Sequence, residues 1–314
     1  MKETYSMQPG SRAANRPAQK HILSVDVEDY FQVEAFAGLV PRETWDQYPS
    51  RVSANCRRLL DLFERYQATA TFFVMGWVAD RFPELVREIH DRGHELACHS
   101  FWHRRVYHLT PDEFRRDTQS ACQAIEQAAS VRVQGYRAPT WSITKQSLWA
   151  LEILAEEGFR YDSSIYPIHH DLYGVPGGQR FPYIHRCPSG RILQEFPPTT
   201  ARVGNANIPA AGGGYLRIFP LFFTDWVFRQ YEQCGKPLVV YLHPWEIDPE
   251  QPRMAAGFRS RFRHYTNLHR TQERLETLLQ RYAFESFSSH LAGHPLGMES
   301  DAGKLNEDRE ALHA

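Results

Sequence analysis

The sequence predicts an α/β fold in which one domain forms a (β/α) barrel. Three observations carry this prediction. Short apolar, β-rich runs alternate with amphipathic segments of helical period from residue 21 to about residue 291, the pattern of a parallel sheet covered by helices. Roughly seven strand units occur, more than an open doubly wound sheet usually has. No Walker A pattern is present, and the triple glycine at 212–214 lacks the strand–GxGxxG–helix setting, so nucleotide binding is set aside.

Taken in order, HILSVDV (21–27) reads as a buried first strand. A helix follows over 53–66, with Ser53 as N-cap and Cys56, Leu59, Leu60 and Phe63 at helical spacing, and then a strand over 68–76. A helix over 77–91 stops at Gly93, and HELACHS (94–100) is the next strand. The helix over 110–128 opens with the capping box Thr110-x-x-Glu113. GYRAP (135–139), a helix over 145–158 and a strand over 159–165 come next. From about His169 to Gly214 the chain is rich in Gly, Pro and aromatic residues without helical period, which predicts an elaborated loop or hairpin insertion. Alternation resumes with a helix over 221–235, a strand over 238–247, a helix over 266–282 and a strand over 284–291. Residues 1–20 read as a flexible N-terminal segment, 21–292 as the barrel domain and 293–314 as a flexible charged tail.

Charge is balanced, with 36 Lys+Arg against 37 Asp+Glu and a net charge of -1, so no overall basic excess draws the chain to nucleic acid or to anionic membranes. The five cysteines are scattered and odd in number, which predicts neither a disulfide framework nor a Cys-based zinc site and suits a reducing compartment. The first twenty residues lack an apolar core, and no apolar run is long enough for a spanning helix. The expectation is a soluble, cytoplasmic protein with no membrane span and no nucleic-acid partner; nothing in the sequence specifies an oligomer.

Barrel enzymes place their chemistry at the C-terminal ends of strands. The first strand ends in Asp26-Val27-Glu28-Asp29, where the two-residue period puts Asp26 and Glu28 on one face and a turn is needed to bring Asp29 to them. Such a cluster is either an acidic loop start or a site where a metal ion or a raised pKa relieves repulsion. The third strand ends in His99-Ser-Phe-Trp-His103, two histidines that can converge on one Zn²⁺. The same spacing at His90/His94 and His290/His294 falls away from that end of the fold. Arg137, after the fourth strand, is placed either on the surface or against an Asp whose charge it would hold. His243, after the strand 238–247, is either a core histidine or a general acid. Together these groups suit metal-assisted hydrolysis, with a carboxylate as base and a histidine as acid.

The ordered set SVDVED, HSFWH, GYRAP and LHPWE resembles the motif series of polysaccharide deacetylases, carbohydrate esterase family 4, also called the NodB-homology family. The longer strings SVDVEDYFQV, HELACHSFWHR, YRAPTWSIT, YDSSIYP, YLHPWEID and RHYTNLHRT resemble the subgroup found with exosortase-linked exopolysaccharide loci, over residues 21–291. The resemblance implies a distorted (β/α)7 barrel, a divalent metal, often Zn²⁺, and hydrolysis of an N-acetyl group on a saccharide. It implies Asp26 as general base, His99 and His103 as metal ligands, Arg137 as the partner orienting Asp26, and His243 as general acid. The commoner family form has two adjacent Asp residues, whereas Asp26 is followed here by Val27, so the carboxylate ligand is Glu28 or Asp29. Asp162 in YDSSIYP is either a partner for His243 or a strand-end cap.

Of the aromatic residues near the motifs, Tyr30, Phe31, Trp102, Trp141 and Trp245, Trp141 is expected to contact substrate and Trp245 to pack. Pro139 and Tyr215 are further candidate substrate contacts. Two other functions compete: hydrolysis of a different amide, as in allantoinase-like barrels, and a catalytically silent carbohydrate-binding protein. The retained Asp26, Arg137 and His243 argue against the silent binder, which needs neither base nor acid.

Overall fold

The computed structural model describes residues 19–294. The expected flexible ends, 1–20 and 293–314, lie almost wholly outside the described residues. In chain order the elements are β1 (Lys20–Val27), α1 (Val52–Arg65), β2 (Thr71–Val74), α2 (Gly76–Arg81), α3 (Pro83–Asp91), β3 (Glu95–Cys98), α4 (Pro111–Ala129), β4 (Gly135–Tyr136), α5 (Trp149–Glu156), β5 (Tyr161–Asp162), β6 (Tyr183–Arg186), β7 (Ile192–Glu195), β8 (Thr200–Val203), β9 (Ala206–Pro209), α6 (Gly213–Ile218), α7 (Leu221–Gln233), β10 (Val239–Leu242), α8 (Phe258–Tyr265), α9 (Leu268–Arg281), β11 (Ala283–Glu285) and α10 (Phe287–Gly293). Short 3₁₀ turns lie between several of them.

One sheet runs in the order β10-β1-β2-β3-β4-β5-β7-β6, with β11 also paired to β1. Every pairing is parallel except that of β6 with β7. The expected barrel is therefore met in part, as a largely parallel α/β sheet, and among the described residues the strand ladder does not close. The free edge of β10 is covered instead by loop residues: Val239 N donates to the Thr199 side chain at Oγ1, 2.8 Å away, and Tyr241 N donates to the Ala211 carbonyl at 3.3 Å.

Several sequence expectations change. The segment 169–214 does not hang wholly outside the sheet, because β7 within it pairs in parallel with β5 and β6 extends the edge, while β8 and β9 form a separate antiparallel pair. The strand expected over 284–291 is β11 followed by the helix α10, capped by Ser286, whose Oγ accepts from Ser289 N. The helix expected over 77–91 is two helices, broken where Pro83 opens α3. The capping box at Thr110 and Glu113 forms as expected. All five cysteines are free. Among the described residues no helix is long and apolar enough to cross a membrane.

The central strands β1, β2, β3 and β10 are buried on both faces, so the two-residue period sorts their side chains into two cores. Leu23, Val25, Val27, Phe72, Val74, Leu96, Val240 and Leu242 pack outward against the helices. Ile22, Phe73, Ala97, Tyr161, Phe196 and Val239 form a second cluster, closed by Phe287 and Leu291 of α10. Phe287 is fully buried and stacks on Tyr161, with ring centroids 5.0 Å apart, and meets Phe73 and Phe196 edge-on at 5.6 and 5.2 Å. The last helix thus fills the enclosed face of the sheet. Phe287→Ala is expected to lower unfolding stability by about 3–5 kcal/mol, the range for emptying a buried aromatic site. Urea denaturation checks it, and a loss below about 1 kcal/mol would show that this face is not a packed core.

Candidate active site

The face that carries Ile22, Phe73, Ala97 and Val239 turns polar toward the C-terminal strand ends. Continuing each alternation gives Ser24, Asp26 and Glu28 from β1, His99 after β3, Arg137 after β4, Ser163 after β5 and His243 after β10. The sequence therefore delivers polar residues from five strands to a common place, and burial of that place makes the contacts strong.

Arg137 is fully buried. One terminal nitrogen donates to Asp26 Oδ1 at 2.6 Å and to Ser24 Oγ at 2.8 Å; the other donates to Ser163 Oγ at 3.0 Å. Its guanidinium carbon lies 4.1 Å from the centre of the Phe73 ring and 4.8 Å from that of Trp141. The surface alternative for Arg137 is excluded, and Asp26 is held as a buried ion pair.

Glu28 Oε1 lies 3.1 Å from His99 Nε2 and 3.0 Å from His103 Nε2. The HSFWH segment can fold back in this way because Ser100 and His103 take positive φ, 65° and 51°. Arg42 pins the same loop by donating to the carbonyls of Trp102 and His103. His99 Nδ1 lies 2.8 Å from the Arg137 carbonyl oxygen and donates to it, which leaves Nε2 to face Glu28. Burial would raise the Glu28 pKa, but the neighbouring His103 and His243 outweigh it and hold the carboxyl well below the usual range.

Asp29, the alternative carboxylate, is not in this group. Its Oδ2 accepts from Ser50 Oγ at 2.6 Å, Arg51 N at 2.8 Å and Val52 N at 3.1 Å, and its Oδ1 accepts from Tyr30 N. Asp29 caps the N-terminus of α1, the task the sequence suggested for Ser53, which lies inside that helix. The strand period, rather than the turn, identifies the carboxylate that meets the histidines.

His243 is half-buried, with Nε2 3.9 Å from Asp26 Oδ2 and 3.8 Å from Glu28 Oε1. Its Nδ1 lies 2.7 Å from Glu246 Oε1, and Glu246 Oε2 accepts from Arg217 Nε at 2.7 Å. Arg217 is itself buried and donates to the carbonyls of Arg263, His264 and Thr266. Burial would lower the His243 pKa, but the carboxylates of Glu28, Glu246 and Asp26 raise it to about 9. A dication on Glu28 would cancel the first of these contributions and leave that of Glu246. Sequence reasoning missed Glu246 and Arg217. The signal for Glu246 was its place three residues after His243 across Pro244, where a tight turn brings it back under the imidazole.

Asp162 is not the partner of His243. It accepts from Ser164 N and Oγ beside Glu195, and burial pushes both carboxyls up, Asp162 to about 6. The candidate substrate contacts fare unevenly. Pro139 is buried, its carbonyl accepting from Ser142 Oγ. Trp141 is 7% exposed and packs on Arg137, Tyr166 and Tyr241, so it offers little surface to a sugar. Trp245 packs as expected, stacked between His243 and His264. Tyr30 and Phe31 are buried, whereas Trp102, next to His103, is 38% exposed. Tyr215 is half-buried, its hydroxyl 3.5 Å from that of Tyr173.

The donor set suits a divalent cation. Glu28, His99 and His103 each present one ligand atom, all within 4.8 Å of one another and all buried. Tetrahedral ligation with bonds of about 2.0–2.1 Å needs donors about 3.3 Å apart, close to the Glu28–histidine separations. Beside this set stand a carboxylate paired with Arg137 and a histidine whose pKa is raised.

Residues 43–161 match the polysaccharide deacetylase family model, and residues 163–292 match a domain of unknown function (DUF3473). Over 43–161 the chain is thus similar to polysaccharide deacetylases. A peptidoglycan deacetylase of Helicobacter pylori is 31% identical over 115 residues, covering 37% of this chain and 38% of that protein, so the chain spans about two fifths of that relative's length. Among solved structures, a protein of Mycobacterium smegmatis assigned as a polysaccharide deacetylase has the same fold, with TM-score 0.60 and 19% identity, covering 94% of this chain and 98% of that one. The allantoinase PuuE also shares the fold, with TM-score 0.57 and 14% identity over 90% of this chain and 96% of that one.

The deacetylase match ends at β5, yet the sheet and the polar cluster continue across that point. Asp26 and Glu28 precede the matched residues, His99, His103 and Arg137 lie within them, and Ser163, Arg217, His243 and Glu246 belong to the second match. If Asp29 serves α1 rather than the histidines, Asp29→Ala will cost about 1–3 kcal/mol of stability, because buried backbone donors lose their acceptor. It will leave metal uptake unchanged, measured by urea denaturation and by zinc titration of the same sample.

Proposed function

We propose that this protein is a metal-dependent deacetylase that hydrolyses N-acetyl groups on an amino-sugar-containing polysaccharide or its precursor, within exopolysaccharide biosynthesis. The observation that carries the proposal is the convergence of Glu28, His99 and His103 beside the Asp26–Arg137 pair and His243. The deacetylase match over 43–161 supports the reaction class. The exosortase-linked setting rests on the wording of the motifs in the sequence.

In this reading Glu28, His99 and His103 hold the cation, which when bound supplies Lewis-acid activation and charge neutralisation. Arg137 occupies Oδ1 of Asp26 and leaves Oδ2 to take a proton from the attacking water. Water adds to the acetamido carbon. The C–N bond then breaks as the departing nitrogen takes a proton from His243 Nε2, giving acetate and a free amine. Glu246 holds Nδ1 of His243 and thereby aims Nε2 at the space beside Asp26 and Glu28. Trp102 and Tyr215 are the aromatic surfaces proposed to meet the sugar.

The allantoinase-like reading draws on the shared fold alone, and a substrate panel separates the two. Acetate release from N-acetylglucosamine oligomers is expected, with none of the ring opening of cyclic amides that the alternative requires. Purified without chelator, the protein is expected to hold about one divalent ion per chain, counted by mass spectrometry. The His99→Ala/His103→Ala variant should lose both ion and activity, and Asp26→Asn should keep the ion while losing about 10²-fold or more in rate. An active wild type without metal, or an unchanged Asp26→Asn rate, contradicts the proposal.

Glu246→Gln tests the acid. A general acid must be protonated, so kcat/KM falls as pH rises through the His243 pKa. Removing a carboxylate 2.7 Å from Nδ1 lowers that pKa, and the alkaline limb should move to lower pH by about one unit or more. An unmoved limb would remove His243 from the acid role.

A further inference from the structure

We infer that α8, together with the adjoining α6–α7 corner, docks this protein on an anionic lipid surface, with the candidate active site beside the contact. In α8, Phe258 and Phe262 are 83% and 53% exposed and lie one helical turn apart on one face. The opposite face carries buried His264, stacked on Trp245, and half-buried Ser260, so the two phenylalanines point away from the fold. Arg259 and Arg261 are exposed and project from either side of the Phe pair.

Charge complementarity selects the occupant. Between Glu250 and Glu273 the chain has five arginines, Arg253, Arg259, Arg261, Arg263 and Arg270, and no carboxylate, although the whole protein carries a net charge of -1. All five are exposed. Outward aromatic residues flanked by arginines are what an interfacial helix presents to anionic headgroups, with the rings entering the acyl boundary. A second apolar set lies on the adjoining corner, where Ile218, Phe222 and Trp226 are 44%, 76% and 40% exposed. The two elements are tied together by Arg217, which donates to the Arg263 carbonyl at one end and to Glu246, the partner of His243, at the other.

The docking goes beyond the deacetylase reading and does not depend on it, since neither Phe258 nor Phe262 belongs to the polar cluster. It would bring a lipid-anchored saccharide to the site at a fixed height above the bilayer. The test is sedimentation of the full chain with vesicles of phosphatidylglycerol and phosphatidylcholine, against vesicles of phosphatidylcholine alone. Binding is expected only to the anionic vesicles, weakening as salt is raised. Phe258→Ser/Phe262→Ser and Arg259→Glu/Arg261→Glu should each reduce it tenfold or more, with the thermal midpoint and the rate on soluble oligosaccharide unchanged. Absence of binding by the wild type overturns the inference. So does a dimer, seen by light scattering, that the Phe pair variant dissociates while vesicle binding is absent, because the face then belongs to a second copy of the chain.

Discussion

The buried guanidinium of Arg137 is the constraint on which the rest of this site depends. A fully buried cation is tolerable only if its charge and its donors are all answered, and the answers here come from several elements of the sheet and its turns. Asp26 and Ser24 reply from β1, Ser163 from the turn after β5, and Phe73 and Trp141 offer ring faces. The Arg137 carbonyl also fixes His99. A single residue therefore sets the position of the Asp26 carboxylate and the orientation of a histidine on the opposite side of the cluster. Removing it would leave Asp26 buried without a counter-charge, the costly half of a broken pair.

Much of this was legible because a parallel strand buried on both faces obeys a strict period of two. Asp26 and Glu28 share a face for that reason alone, and the same rule excludes Asp29, whose carboxylate caps a helix whose cap could not be placed from local sequence. Ser53 looked like that cap because cap preferences are local, whereas the residue that does the work comes from 23 positions upstream of Val52. The strand over 284–291 failed for a related reason. Its apolar residues Phe287 and Leu291 are four apart, which serves a helix filling a cavity as well as a buried strand. β7 showed in the sequence only as the short β-like piece RILQEFP, whose four strand residues in a Gly/Pro-rich stretch do not tell that it joins the main sheet. Glu246 was overlooked because its role depends on a turn, not on a strand face.

The two matched regions meet between β5 and the segment leading to β6, and the physical boundary is not there. β5 pairs with β7 across it, and Ser163, just past it, holds Arg137 from the deacetylase region. A polar cluster cannot be cut at such a point: the region up to β5 supplies the donors for a cation and the arginine, and the region beyond supplies the histidine, its glutamate and Arg217. The domain of unknown function is, in this chain, the remainder of one sheet and one site.

Two buried arginines then act in opposite senses. Arg137 touches Asp26 directly and pairs with its carboxylate. Arg217 touches Glu246, and Glu246 in turn touches His243, so one intervening carboxylate converts the influence of a cation into stabilisation of a positive imidazole. The burial of both arginines makes each effect stronger than it would be in water. Pairs of groups whose surroundings push their protonation apart are how a single site keeps a base ready to accept and an acid ready to give at one pH. On the proposed reading, the difference between base and acid lies in whether zero or one carboxylate stands between the arginine and the reacting group. Arg217 also ties α6 to the C-terminal end of α8, so the acid half of the cluster is braced by the carbonyls of Arg263, His264 and Thr266, at the far end of the helix that carries the exposed Phe258 and Phe262. The end of α8 is therefore connected to His243 through three hydrogen bonds, by way of Arg217 and Glu246, whereas Asp26 is held by Arg137, which follows β4.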